Sequence, residues 1–170
     1  DNAFEGAFHA WMTSGDNVEQ LYPFVFDAVD FAAHKNVAWP AQAKARLCGF
    51  ARELAAYPDE TAYYTARNGG DGPKLTSQAF IPIGLFASEQ TGEPQLISAL
   101  EPASTALLTG RVVEHRQLKN EATGLPFEWM LVETLGATID IVADPAIVSG
   151  TIVEGGTIET TALLFGRLAV

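Results

Sequence analysis

The chain has 170 residues, with 21 acidic and 10 basic side chains and a net charge of −11. Because the few basic residues are dispersed, the charge disfavours a nucleic-acid partner and attraction to an acidic membrane surface. An apolar fraction of 48% and a charged fraction of 18% predict a folded globular protein, and the length suits one compact domain spanning 1–170.

The sequence carries few signals for a compartment. Cys48 is the single cysteine, so an internal disulfide is excluded. No apolar run approaches the roughly 20 residues of a membrane-spanning helix, and the first residues lack the basic start of a signal peptide. We therefore expect a cytoplasmic protein without membrane contact, and no motif predicts a cofactor.

The first 58 residues predict helices. Phe4, Phe8 and Trp11 have helical spacing, which favours a short N-terminal helix. A helix from about Tyr22 to before Pro40 is predicted by apolar residues at i, i+3, i+4 and i+7. These residues are Leu21, Phe24, Val25, Ala28 and Ala32.

A second helix is predicted between Pro40 and Pro58, two residues that commonly bracket helices. Its apolar face comprises Ala43, Leu47, Phe50, Ala51 and Leu54. The two helices would form a hairpin over residues 1–58, and Cys48 beside the apolar stripe is expected to be a packed, inert thiol.

Asp27, Asp30 and His34 fall at helical spacing, so they are candidates for a cation site. A local interaction on a solvated helix face is the favoured interpretation, and we predict no metal site.

Residues 59–78 predict a loop, because Gly69, Gly70, Gly72 and Pro73 are closely spaced without the pattern of a phosphate-binding loop. Two strands are expected in residues 79–100. Pro82 and Gly84 in the first of these favour an edge strand or a bulge.

The β-rich remainder predicts a strand from Leu107 to Asn120, in which Gly110 indicates strong coiling or a bulge. A second strand at 127–133, a third at 138–142, a short helix capped by Asp144 and a final strand from Thr157 to about Leu168 follow.

This order resembles an OB-fold over residues 105–170. The resemblance rests on TGRVV (109–113), FEWMLVE (127–133), IDIVADP (139–145) and FGRL (165–168). Only one long strand is predicted after the helix, so a strand from 79–100 is a candidate to complete the sheet. The predicted fold class is α+β, with an N-terminal helical hairpin packed on a coiled, mainly antiparallel OB-like β-barrel.

The resemblance implies a single-strand nucleic-acid function, in which Phe127 and Trp129 stack on bases while Arg111, Arg116 and Lys119 meet phosphates. Six acidic residues in the same stretch oppose this function, and alternation favours core packing for Phe127 and Trp129. The acids are Glu114, Glu121, Glu128, Glu133, Asp140 and Asp144.

Two further functions remain open. Glu133 and Asp140 flank a tight turn, so with His115 as a base they are candidates for a carboxylate-based enzyme. No motif for a serine, cysteine or metal-dependent hydrolase accompanies them. A non-catalytic binding module for a protein or small ligand is the favoured function.

Overall fold

The computed structural model describes residues 6–14, 19–34, 36–68, 75–87 and 102–169. Nine strands form one sheet. They are β1 (Ala7–Ser14), β2 (Glu19–Ala28), β3 (Lys44–Tyr57), β4 (Ala79–Ile81), β5 (Thr105–Lys119), β6 (Pro126–Thr134), β7 (Ala137–Ala143), β8 (Val148–Ser149) and β9 (Thr157–Ala169). Helices α1 (Glu60–Asn68) and α2 (Ile83–Ala87) and two 3-10 turns, Phe31–His34 and Pro145–Ile147, complete the described elements.

Five of these strands close into a barrel, in the cyclic order β3, β7, β6, β5 and β9. Strand β3 closes the ring because it pairs with β9 in antiparallel fashion along its length and with β7 in parallel at Cys48–Phe50. Strands β1 and β2 form an antiparallel hairpin that joins β9, while β4 pairs with β5.

The barrel interior is filled by apolar side chains from every barrel strand. They include Leu47, Leu54, Leu108, Val112, Met130, Val132, Ile139, Ile141, Ile158 and Leu164. The hairpin adds Tyr22, Phe24 and Phe26 to the same cluster, so one continuous core serves the barrel and the added strands.

Gly110 lies where β5 passes from one neighbour to the other. Strand β5 pairs with β9 through Thr105–Arg111 and with β6 through Arg111–Lys119, with a bulge between Val112 and Glu114. A Cβ atom on Gly110 would lie 2.6 Å from the carbonyl oxygen of Glu133, so glycine is needed for this close approach.

The predicted α+β class with its N-terminal helical hairpin is wrong, because the described part of the chain is mostly strand and its N-terminal region forms strands. Strand β2 buries Tyr22, Phe24, Phe26 and Ala28 by alternation, and the intervening Val25 is buried as well. The extra buried Val25 creates a spacing that mimics a helical face, whereas the aromatic content of the segment suits a strand.

The second predicted helix is strand β3, and its alternation is hidden by a bulge. Leu47 and Gly49 are buried before the register shift between Ala51 and Glu53, and Leu54 and Ala56 are buried after it. The buried positions therefore change from odd to even residue numbers across the bulge, and the segment as a whole does not show a period of two. The residue types in β3 also favour helices. Pairing on both edges of β3 overrides that local preference.

Other segments differ in smaller ways. Phe8 and Trp11 lie in β1, while Phe4 is outside the described residues. Residues 60–68 form α1 within the predicted loop, where Asp59 accepts a hydrogen bond of 2.7 Å from the Ala62 N–H and caps the first turn. Residues 69–74, which contain the clustered glycines, lie outside the description.

The first strand predicted in 79–100 is reduced to the three residues of β4, because Pro82 ends it and α2 follows. The second predicted strand in this region lies outside the described residues. Strand β4, from the segment considered as a candidate to complete the sheet, joins the sheet by pairing with β5, outside the ring that β3 closes.

The strands and the short turn predicted in residues 105–169 are confirmed, but Trp129, expected to pack in the core, faces outward. The three-strand meander corresponds to β5, β6 and β7, and the last strand corresponds to β9. Asp144 caps the short 3-10 turn as predicted, accepting a hydrogen bond of 2.8 Å from the Ala146 N–H.

Candidate functional site

An apolar surface covers the outside of the barrel where β3, β6, β7 and β9 lie side by side. On β6, alternation directs Met130 and Val132 into the core, so Trp129 and Leu131 face outward. We call this surface the Trp129 face. Its residues are Cys48, Phe50, Trp129, Leu131, Asp140, Val142, Leu163 and Phe165.

Polar contacts hold Trp129 in place on the β6 side of this face. Its Nε1–H donates a 3.0 Å hydrogen bond to Oδ1 of Asp140, and Arg46 Nε donates a 3.0 Å bond to the other carboxylate oxygen. The Arg116 guanidinium lies over the indole, 5.7 Å from the ring centroid. The indole is therefore oriented before any ligand arrives.

Aromatic side chains extend the face across β3 and β9. Phe50 is 49% exposed and packs edge-on against Phe165, with a distance of 5.1 Å between ring centroids. In the register, Phe50 is opposite Val142 on one side and Leu163 on the other. A half-exposed aromatic surrounded by outward-facing aliphatic residues is typical of an interaction surface.

The arginines around the Trp129 face each meet a carboxylate. Arg46 contacts Asp140, and Arg116 contacts Glu114. Arg167, which is opposite Arg46 in the register, lies 4.0 Å from Asp30. The three positive charges are thus matched by three negative charges, and the face has little excess charge of either sign.

Cys48 lies on the Trp129 face beside Asp140. Burial, reinforced by the Asp140 carboxylate and opposed by Arg46, raises the pKa of the Cys48 thiol to about 11. The thiol is therefore protonated at neutral pH, which is the state expected of a packed rather than a nucleophilic cysteine.

The raised pKa of Cys48 predicts a loss of stability at alkaline pH. The unfolded thiol ionises near its ordinary pKa of 9.0, before the folded thiol does, so this stabilisation is present below about pH 9 and is lost as the pH rises towards 11. Between about pH 8 and about pH 11, the free energy of unfolding of the native protein should fall by about 1–2 kcal/mol more than that of Cys48→Ser. Urea denaturation of both proteins measures the two changes. Identical pH dependence in both proteins would contradict it.

The proposed carboxylate site is only partly assembled. Asp140 and Glu133 share the outer side of the sheet, because Asp140 is opposite Leu131 and Glu133 is opposite Thr138. Such diagonal neighbours are about 7–8 Å apart. His115 is opposite Met130, on the other side of the sheet, and does not join them. The catalytic role of these residues stays a prediction.

His115 belongs to a different polar cluster. Its Nε2 lies 2.7 Å from Oε2 of Glu128, and Gln117 donates a 3.0 Å hydrogen bond to the other oxygen of that carboxylate. The backbone N–H of His115 also donates to Glu154 at 3.3 Å. These contacts satisfy a mostly buried Glu128 and tie β5 to β6, which is a structural role.

The residues predicted to bind a ligand lie at different points of β5 and β6. Arg116 and Trp129 are in contact, as described above. Arg111 is opposite Glu133 at one end of β6, whereas Phe127 is opposite Leu118 at the other. Lys119 is opposite Pro126, next to the turn that links the two strands.

The Asp30–His34 pair predicted from spacing exists, but in the 3-10 turn after β2. His34 Nε2 lies 3.2 Å from Asp30 Oδ2. Asp27 instead accepts a 2.8 Å hydrogen bond from the Ser104 hydroxyl. Within the described ranges, no group of three or more His, Cys, Asp or Glu side chains is arranged to hold a metal ion.

A separate groove of about 900 Å³ runs beside β1. Its described lining contains the consecutive residues Ala7–Thr13, the segment Trp39–Ala43, and the ends of β3, β7 and β9. Sequence reasoning missed this groove because it treated residues 1–58 as helical. Residues 7–12 gave little signal for a strand, because Ala7 and Trp11 are apolar like Phe8, Ala10 and Met12, so apolar and polar residues do not alternate.

Comparison of the chain with protein-family models, curated proteins and solved structures gives no match in any of the three. In the part of the chain that the structure describes, no helix is long and apolar enough to cross a membrane.

Proposed function

We propose that this protein is a non-catalytic binding module that recognises a partner protein through the Trp129 face. The observation that carries the proposal is a set of apolar side chains on the outside of a closed barrel, around an indole fixed by Asp140. The barrel core already has its own apolar residues, so the outer set is not required to fill it.

The matched charges around the Trp129 face favour a partner whose contacting surface is uncharged and apolar or aromatic. Each arginine around the face already meets a carboxylate, so an anionic ligand would have to displace one of those acids. A partner that buries Phe50 and Trp129 would instead remove apolar area from water and leave the existing ion pairs at the rim.

We also propose that the barrel is of the OB type, with one strand taken from an unusual place in the chain. The meander β5, β6, β7 and the later β9 follow the order on which the resemblance rests. Strand β3 supplies the fifth strand of the ring, since it pairs with both β9 and β7. Ligands of OB-folds commonly bind on the second and third strands, here β6 and β7, which carry Trp129 and Asp140.

Phe50→Glu tests the proposal, because it places an unmatched charge at the centre of the face. The matched control is Leu125→Glu, which alters a 65% exposed leucine in the turn between β5 and β6. A partner isolated with the native protein from source-cell extract and then purified should bind Phe50→Glu at least about tenfold more weakly in calorimetry, and bind the control unchanged. Equal affinity for the native protein and Phe50→Glu would exclude this face.

Single-stranded nucleic acid is the second candidate, favoured by the position of Arg116 over Trp129. Fluorescence polarisation with labelled oligonucleotides at low salt distinguishes nucleic-acid binding from recognition of a partner protein. The matched charges lead us to expect no binding, whereas binding that weakens steeply with salt and is lost in Trp129→Ala would favour nucleic acid.

A further inference from the structure

We propose that β1 is a docking strand, and that an uncharged extended segment of a partner protein adds to its open edge within the groove. This site is separate from the Trp129 face and uses backbone hydrogen bonds instead of an outer barrel surface. Among the strands that the structure describes, β1 stands at one end of the order and pairs with β2 alone. Such an edge presents N–H and C=O groups that a further strand can use.

The hydrogen-bond pattern identifies the groups on that edge. The N–H of Ala28 donates a 2.8 Å bond to the carbonyl of Gly6, so residues 6, 8, 10 and 12 of the hairpin bond to β2. Residues between them direct their backbone groups away from β2. Ala7, His9 and Trp11 therefore offer N–H and C=O groups at the open edge. Pro23 fits this assignment, because it is opposite Trp11, where β2 needs no N–H towards β1.

The shape of the groove matches a strand. All residues from Ala7 to Thr13 line it, although successive side chains point to opposite faces. Because side chains from both faces of β1 line the groove, it reaches the backbone edge of the strand, and Gln20, Phe24 and Phe26 of β2 show that it also extends over one face of the hairpin. The rest of the lining includes Trp39–Ala43, Leu47 and Leu168, which provide surface for side chains of an added segment.

The lining also defines the chemistry of the occupant. The described residues that line the groove include no Asp, Glu, Lys or Arg, in a chain whose net charge is −11. A charged side chain buried there would lack a partner. We therefore infer a segment of about six residues with apolar side chains at alternate positions, since Phe8, Ala10 and Met12 face the core on one side of β1.

Edge strands that must stay unpaired usually contain proline or charged residues that prevent pairing, and β1 has few such residues. Its sequence, AFHAWMTS, has no proline and no acidic or basic residue apart from His9. Trp11 is 54% exposed beside the edge. A second copy of the chain is disfavoured as the occupant, because its β1 is already paired with its own β2, which would have to enter the groove as well.

Substitution of His9 tests the edge without removing a bond to β2. His9→Pro deletes an outward N–H, whereas the matched control His9→Ala deletes the side chain and keeps that N–H. The probes are fluorescent, end-capped hexapeptides in which Thr alternates with Val, Ile, Phe or Tyr. We expect at least one to bind the native protein and His9→Ala, and to bind His9→Pro about tenfold more weakly or worse.

A companion peptide carries an N-methyl group on every amide, which blocks both of its edges, and it should not bind. Circular dichroism confirms that His9→Pro is folded.

The proposal is overturned if no probe binds the native protein or if His9→Pro binds as tightly as the control. It is also overturned if sedimentation shows a native dimer that His9→Pro dissociates, since a second copy then occupies the edge. Phe50→Glu should leave peptide binding unchanged, which separates this site from the Trp129 face.

Discussion

Replacing Gly110 with alanine is expected to lower the free energy of unfolding by about 3 kcal/mol. The added Cβ would lie 2.6 Å from the Glu133 carbonyl oxygen and 2.4 Å from Cγ1 of Val132. Val132 is completely buried and the carbonyl belongs to the backbone of β6, so neither can move without disturbing the ladder. Urea denaturation followed by circular dichroism measures the change.

The matched control for Gly110 is Gly155→Ala. Gly155 has a φ of +82°, but a Cβ there meets no atom within 4 Å. Its substitution costs only backbone strain, about 1 kcal/mol. If Gly110→Ala costs no more than Gly155→Ala, β5 and β6 do not approach as closely at this point as the structure indicates.

The effect of Gly110 follows from how the barrel closes. Residues up to Arg111 bond to β9 and residues from Arg111 onwards bond to β6, so β5 must coil sharply at this position. A long strand with an internal glycine was a visible signal of that coiling in the sequence. Here local residue chemistry and the tertiary structure agree, and the strand was predicted correctly.

Besides β5, in which Gly110 indicated the coiling, the sequence predicted the elements in which alternation is unbroken. Phe127 to Glu133 alternate across β6, and Asp144 followed by Pro145 has the chemistry of a capped turn. Strand β3 was not predictable in this way, because a bulge interrupts its alternation and its partners are far away in the chain. Cys48 pairs with Asp140 and Phe165, and nothing local to β3 encodes either contact.

The candidate site was predicted only in part for the same reason. Arg116, Trp129 and Asp140 lie on neighbouring strands of a meander, so their proximity follows from local connections. Phe50 in the Trp129 face and Arg46 beside it both lie on β3, which was assigned to a helix. The groove beside β1 depends equally on a hairpin that helical periodicity concealed. The wrong period therefore hid the residues that β3 contributes to the Trp129 face and those that β1 contributes to the groove.

Gly49 provides the sharpest test of β3, because helix and strand predict opposite signs for Gly49→Ala. In the middle of a helix the substitution would stabilise the protein by about 1 kcal/mol. In the barrel, Gly49 is opposite Ile141 in β7, and a Cβ would lie 2.7 Å from Ile141 Cδ1 and 3.2 Å from the Ala162 Cβ. We therefore expect a loss of about 1–3 kcal/mol in urea denaturation.

A double-mutant cycle extends this test to the parallel contact that closes the barrel. Ile141→Val alone should cost about 0.5–1.5 kcal/mol, but it removes the Cδ1 atom that the methyl group added by Gly49→Ala would meet. The double variant should therefore be more stable than the sum of the single changes predicts, by about 1 kcal/mol. Ile158→Val, buried elsewhere on β9, is the control and should add to Gly49→Ala without coupling. Equal additivity in both cycles would mean that Gly49 and Ile141 do not touch, and β3 would then not close the barrel against β7.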